Sequence, residues 1–265
     1  MTLNLREIHW LASFPKSGNT WVRFLWQAYV TGNGDINANL RLSFADNLQS
    51  GYQQAAPFEL AAMGREHRAL LRPVVLMNLI SQIALRPLVV KTHCAAFRVN
   101  SMDLIPAELS KSYTYLIRDP RDVAVSYARH LGKTVDEAIE FMGDERHTLD
   151  GHAPQFVLGW STNVKSWERM DGIIVRYEDL KADPAYCFSA ILKNWGVDPD
   201  PERVARAVEL TEWDRMKKQE QDEGFIEAGE GQFFAGSDWR KVLTDKQLEK
   251  IDRDHGETMR KYGYL

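Results

Sequence analysis

The sequence predicts a single α/β domain: a central parallel sheet flanked by helices, with a P-loop-like turn after its first strand. Three observations carry this. Short apolar runs, β-branched or aromatic and bounded by polar or turn residues, recur at Ile8–Ser13, Leu88–Thr92, 113–117 and 173–177. Unbroken runs of this kind suit strands buried on both faces. The first run passes through a glycine-bearing turn into a segment with helical spacing, the opening unit of a parallel α/β sheet. No repeat or linker divides the 265 residues, so the domain is expected to span 1–265.

The elements follow in order. After the turn, Val22, Leu25, Trp26 and Tyr29 recur at helical spacing, predicting a helix over 20–30. Residues 69–90 are the most hydrophobic stretch, but Arg72, Pro73, Asn78, Gln82, Arg86 and Pro87 interrupt it. A membrane span needs ~20 nearly unbroken apolar residues, so this stretch reads as a buried helix with the 88–92 strand behind it. Asp119-Pro120 and Asp183-Pro184 each place an N-cap acid before a proline at the first helical position. Thr244 with Gln247 forms a capping box that opens a C-terminal helix toward Tyr262. Residues 219–237 carry Gly224, Gly229, Gly231 and Gly236 among acids and phenylalanines, and read as a mobile loop.

Composition narrows the function classes. With 11% aromatics and eight tryptophans the chain is neither disordered nor of low complexity. Acidic residues outnumber basic ones 37 to 33, for a formal charge of -4. That argues against a general nucleic-acid surface and leaves room for a local anion site. Cys94 and Cys187 stand alone without metal spacing, and residues 1–7 are polar. A reduced, cytoplasmic protein with no membrane anchor is therefore expected.

Three segments carry chemistry. The first is Ser13-Phe14-Pro15-Lys16-Ser17-Gly18-Asn19-Thr20-Trp21. A glycine turn ahead of a helix presents backbone N–H groups to an anion. Lys16 adds a charge, and Ser17, Asn19 and Thr20 add donors. The nucleotide-kinase form of this loop sets its lysine after the second glycine. Here Lys16 precedes Gly18, which disfavours a conventional kinase. The plain alternative is a solvated lysine in a turn. The second segment runs from Tyr115 to Tyr127. Arg118 ends a strand at the edge where open α/β sheets bind ligands, and a guanidinium can clamp phosphate bidentately. Ser126 follows on the next helix. The alternative makes Arg118 an ion-pair partner of Asp122 or Glu178. The third is Lys91-Thr92-His93. On a strand, Lys91 and His93 share a face and Thr92 and Cys94 the other. That makes a Cys94–His93 nucleophile pair geometrically poor, and places His93 as a general base or a structural histidine.

Together these segments resemble, closely and in order, the sulfotransferases that use 3′-phosphoadenosine 5′-phosphosulfate (PAPS). Pro15 to Trp21 is similar to that family's PKSGTTW loop, Arg118 to Tyr127 to its RNPKDVAVSY motif, and Lys91-Thr92-His93 to its KTH strand. Tyr177-Glu178-Asp179-Leu180-Lys181 resembles its YED turn. Thr211, Trp213, Met216 and Lys217 resemble its T-x-F-x-x-M-K segment, and Asp238-Trp239-Arg240 its GDWK motif. The anchors span residues 13 to 240.

The resemblance implies a nucleotide-binding core in which residues 16–20 hold the 5′-phosphosulfate, and Arg118 with Ser126 the 3′-phosphate. Trp21 and Trp213 would flank the adenine, with Tyr177, Thr211 and Met216 nearby. His93 would take the proton of an acceptor hydroxyl, with Lys91 beside it, and Lys16 would stabilise the leaving oxygen, without a metal. A small-molecule hydroxyl acceptor is expected, with Phe14, Phe97, Phe233 and Phe234 as apolar lining. Its pocket would draw on residues 33–57, 74–85, 97–104 and the glycine-rich loop. Two departures stand out. The family's Arg-Lys-Gly triplet before GDWK, which clamps the 3′-phosphate, is absent, since no basic residue lies between Lys218 and Arg240. Its role would fall to Lys217, Arg240 or Lys241. The C-terminal dimer motif survives only as Arg240, Thr244, Asp245 and Glu249, leaving the oligomer open. A non-catalytic nucleotide-binding module of the same fold is the alternative these departures motivate, with a small-molecule kinase third.

Overall fold

The computed structural model describes residues 5–38, 42–56, 58–149, 153–228 and 233–265. Five parallel strands form one sheet: β1 (Ile8–Ser13), β2 (Phe44–Ala45), β3 (Leu88–Thr92), β4 (Ser110–Ile117) and β5 (Gly172–Arg176), in the order β2-β3-β1-β4-β5. Among the described residues, two antiparallel ribbons of two-residue strands lie outside it. The chain fills one side of β1 and then crosses to the other. Open α/β sheets bind ligands at the carboxyl edge where such a reversal occurs.

Helices cover both faces. Ile8, Trp10 and Ala12 point into one core with Val123, Tyr127, Trp160, Trp167, Ile251 and Met259. Leu11 points into the other with Val22, Leu25, Trp26, Phe188, Ile191 and Leu210. Each fully buried Val, Leu, Ile, Phe or Met side chain among these contributes ~1.5–3 kcal/mol relative to exposure.

The predicted strands at Ile8–Ser13 and Leu88–Thr92 have the observed bounds. The third starts earlier, at Ser110, because its polar residues are tied to the neighbouring strand: Trp10 Nε1 donates to Ser110 Oγ (2.8 Å) and Ser112 Oγ bonds His9 Nδ1 (2.8 Å). The fourth ends at Arg176, since Tyr177 opens the helix Tyr177–Ala182. The caps are as expected: Asp119 accepts from the Arg121 N–H, Asp183 from the Tyr186 N–H, and the Thr244–Gln247 box is complete.

The loop predicted at 219–237 starts later than expected. Residues 219–223 complete the helix Trp213–Glu223 because tertiary contacts hold their polar side chains. Gln219 bonds the backbone of Gly34 and Ile36. The buried Glu220 carboxylate accepts the N–H groups of Phe233 and Phe234. Gly229 and Gly231 lie outside the described residues.

A buried polar triad stiffens the region beside β3. Arg72 donates to the Asp46 carboxylate and to the Leu104 carbonyl, and Gln155 Nε2 donates to Asp46 Oδ1 (2.8 Å). Pairing of this kind is what permits two charges to be buried.

Candidate active site

The parallel register brings four strand ends to one edge: Ala12 pairs with Thr92, Ser13 with Leu116, and Ile117 with Arg176. The segments that follow, bearing Lys16, His93, Arg118 and Tyr177, therefore converge on a single cavity of about 550 Å³. That is the size range of small-molecule sites.

The turn after β1 is built on left-handed backbone, with φ of 66° at Lys16 and 97° at Gly18. Such a conformation at a residue bearing Cβ costs of order 1 kcal/mol or more and persists only when the surroundings enforce it. Gly18 has a second constraint: a Cβ there would come within 2.6 Å of the Tyr177 ring. Gly18→Ala is accordingly expected to lower the unfolding free energy by at least ~1–2 kcal/mol. Urea denaturation would read it as a lower midpoint with an unchanged slope. The turn leads into the helix Asn19–Thr31, whose first amides have no intrahelical partner.

Lys16 faces the cavity with Nζ 3.9 Å from the centre of the Phe233 ring. Burial, then the neighbouring Arg118 and Arg129, lower its pKa to about 8, with Glu220 and Glu227 opposing. Arg118 donates to the Lys16 carbonyl (3.1 Å) and to Ser237 Oγ (2.6 Å), and its guanidinium lies 4.3 Å from the centre of the Tyr177 ring. Its Nε is buried without a partner. The ion pairs that the sequence left open for Arg118 are not formed. Glu178 instead accepts from the Asp119 N–H and the Tyr264 hydroxyl, and Asp122 accepts from the Trp239 N–H.

His93 follows β3 and is fixed from both sides. Its carbonyl accepts from Asn163 Nδ2 (3.1 Å), whose own Oδ1 accepts from the Tyr115 hydroxyl. Its Nδ1 lies 2.8 Å from the Ser13 carbonyl oxygen. A carbonyl can only accept, so the ring hydrogen sits on Nδ1 and Nε2 carries the lone pair. Burial and the adjacent Lys91 hold the imidazole pKa well below the ordinary value, keeping the ring neutral. Lys91 lines the cavity on the same face, its own pKa lowered by burial.

Thr20, Trp21, Ser126, Tyr177, Trp213, Phe233 and Phe234 also line the cavity. Trp21 meets Tyr177 edge-on and donates from Nε1 to the Thr211 carbonyl (3.1 Å). Trp213 meets Phe234 edge-on at 5.3 Å. Asn19 borders the cavity but turns its amide into the sheet, donating to the Leu11 carbonyl and Ser13 Oγ.

Several expected residues stand elsewhere. Ser17 lies in the turn itself but is buried outside the cavity lining, with its hydroxyl unpartnered. Thr211 turns its hydroxyl back to the Ala207 carbonyl. Met216 packs among Phe24, Ile36 and Phe225, behind the wall. Phe14 is fully buried against Tyr127, and Phe97 packs on Phe156. Of the four regions expected to line the acceptor pocket, only the glycine-rich loop contributes among the described residues, through Glu227, Phe233, Phe234, Gly236 and Ser237. None of the residues proposed to replace the basic triplet lines the cavity: Arg240 stacks on Trp239, Lys241 pairs with Asp238, and Lys217 lies outside the lining.

Sequence reasoning missed Arg129, His130, Gln155 and Glu227. Arg129 had a usable signal, one helical turn beyond Ser126 on the same face. Gln155 had none, since the Asp46 triad alone aims it. Among the described residues no group of three His, Cys, Asp or Glu side chains is placed to hold a metal ion, and no helix is long and apolar enough to cross a membrane.

Comparison with known proteins agrees with this geometry. The family described as "Sulfotransferase domain" matches residues 7–263. Human sulfotransferase 1C2 is 20% identical over 268 residues, covering 94% of this chain and 82% of the relative. Flavonol 3-sulfotransferase of Flaveria bidentis is 23% identical over 270 residues, covering 92% and 78%. The fold also matches a retinol dehydratase crystallised with androsterone and the inactive cofactor PAP, with a TM-score of 0.62, 19% identity, and coverage of 98% and 82%. With its motifs gathered at one sheet edge and the family match running almost from end to end, the chain belongs to the sulfotransferase domain family and is a PAPS-dependent transferase.

Proposed function

We propose that the protein transfers the sulfuryl group of PAPS, in line, to a hydroxyl of a small-molecule acceptor, with His93 as general base and Lys16 stabilising the leaving group. The observation that carries this is the placement of Lys16 and His93 on one cavity, with the His93 Nδ1 hydrogen committed to the Ser13 carbonyl. PAPS, when bound, supplies a sulfuryl group on a phosphate leaving group.

The chain's own residues suit that donor. Lys16, Arg118 and Arg129 line the cavity without a carboxylate ion-pair partner among the described residues, and the Arg118 Nε is orphaned there. Trp21, Tyr177 and Trp213 supply aromatic surface for a flat base. His93 Nε2 accepts the acceptor's proton, the Ser13 carbonyl keeping the ring in that tautomer. Lys16 presents its ammonium where charge develops on the departing oxygen. Reactions of this type depend mostly on positioning and electrostatics.

The lining of the same cavity also includes His130, Gln155 and Glu227 along with Leu131 and Leu149. This supports an acceptor that carries polar groups besides its hydroxyl, in addition to the apolar surface the phenylalanines offer. The test is mass spectrometry of acceptor mixtures incubated with PAPS and no added metal. One or more acceptors should gain the mass of a sulfuryl group (SO3), the acceptor keeping its own oxygen. Tight binding of the nucleotide with no product across a broad hydroxyl-bearing set would replace this reading with a non-catalytic one.

A further inference from the structure

The cavity holds a second guanidinium for which the family motifs do not account. Arg118 directly follows β4, and Arg129 lies in the last turn of the helix Pro120–Leu131. The two meet on one turn of the chain: Arg118 donates to Ser237 Oγ (2.6 Å) and Arg129 Nη1 donates to the Gly236 carbonyl (2.8 Å). Ser126, one helical turn before Arg129, lines the same wall.

Neither arginine forms an ion pair among the described residues. The nearest acid on that helix, Asp122, is engaged by the Trp239 N–H. The charge of both is felt at Lys16, whose ammonium is disfavoured by Arg118 and Arg129 alike. Lys16, Arg118 and Arg129 repel one another, and the two arginines rest on neutral oxygens, an arrangement that a bound anion relieves. Guanidiniums prefer a phosphate to a carbonyl or hydroxyl, because the charged acceptor takes paired N–H donors.

We infer that Arg129 binds the 3′-phosphate of the nucleotide together with Arg118 and Ser126. It thereby supplies the charge that Gln232-Phe233-Phe234, standing where the family has Arg-Lys-Gly, does not. The inference rests on reading the cavity as the PAPS site. The plain alternative is that Arg129 only ties down the Gly236 turn and complements its helix C-terminus.

The experiment is calorimetry on wild type, Arg129→Gln and Arg129→Lys with two probes: 3′-phosphoadenosine 5′-phosphate, and adenosine 5′-phosphate, which lacks the 3′-phosphate. Wild type should prefer the first. Arg129→Gln should lose roughly ten- to a hundredfold in affinity for the first and under about threefold for the second. Arg129→Lys should recover part of the loss. Equal losses for both probes, no loss for either, or a wild type indifferent to the 3′-phosphate would each overturn the role of Arg129 and leave the nucleotide site standing. A wild type that binds neither probe would remove the nucleotide reading and the inference with it.

Discussion

Replacing Lys16 with methionine is expected to lower kcat by roughly 10²–10³, the typical effect of removing one preorganised donor from developing charge. Methionine keeps the length and apolar stem and removes only the ammonium. The pKa of about 8 gives the prediction a pH signature. Below that value Lys16 is charged and receptive to an anion; above it the group is increasingly neutral. kcat/KM, which reports the free protein, should therefore fall as pH rises through about 8. A bound dianion favours the ammonium and raises its pKa, so nucleotide binding near pH 8 should take up protons. At pH 6 Lys16 is already protonated and contributes no uptake. Calorimetry of the PAP complex in buffers of different ionisation enthalpy measures this directly. Lys16→Met should abolish both the alkaline limb and the uptake at pH 8. Uptake that is unchanged in the variant would assign it to another group and remove the basis for the role of Lys16.

The second large effect is expected at His93. Glutamine there retains a donor for the Ser13 carbonyl and similar bulk, but has no basic nitrogen. His93→Gln should lower kcat by roughly 10²–10⁴ while nucleotide affinity changes little. The imidazole pKa lies well below 6.5 because burial and Lys91 disfavour the imidazolium. The neutral base thus persists as pH falls, and the acid limb of kcat/KM belongs below the ordinary histidine range. An acid limb at or above pH 6.5 that His93→Gln leaves in place, or full turnover in that variant, would show that another group takes the proton.

Much of the fold was legible because its signals are local. Ile8–Ser13 and Leu88–Thr92 are apolar on both faces, and a strand buried on both faces has that signature wherever it sits. Asp119, Asp183 and Thr244 cap their helices through contacts two or three residues away. The edge strand Phe44–Ala45 was not legible, since it is too short to show a period. The helical fate of 219–223 was not legible either, because Glu220 and Gln219 are held by residues distant in sequence.

The same division runs through the site. The sequence by itself determined which chemistry was available: an anion turn whose Gly18 tolerates a left-handed backbone, an arginine and a histidine at strand ends, and the order of motifs that marks the family. The tertiary structure alone decided which groups share the cavity. It put Phe14, Phe97, Thr211 and Met216 behind the wall, brought Arg129, Gln155 and Glu227 into it, and set the His93 hydrogen on Nδ1. The reason is physical. Local spacing encodes backbone conformation, whereas the direction, charge state and partners of a side chain depend on groups that only packing brings within a few ångströms.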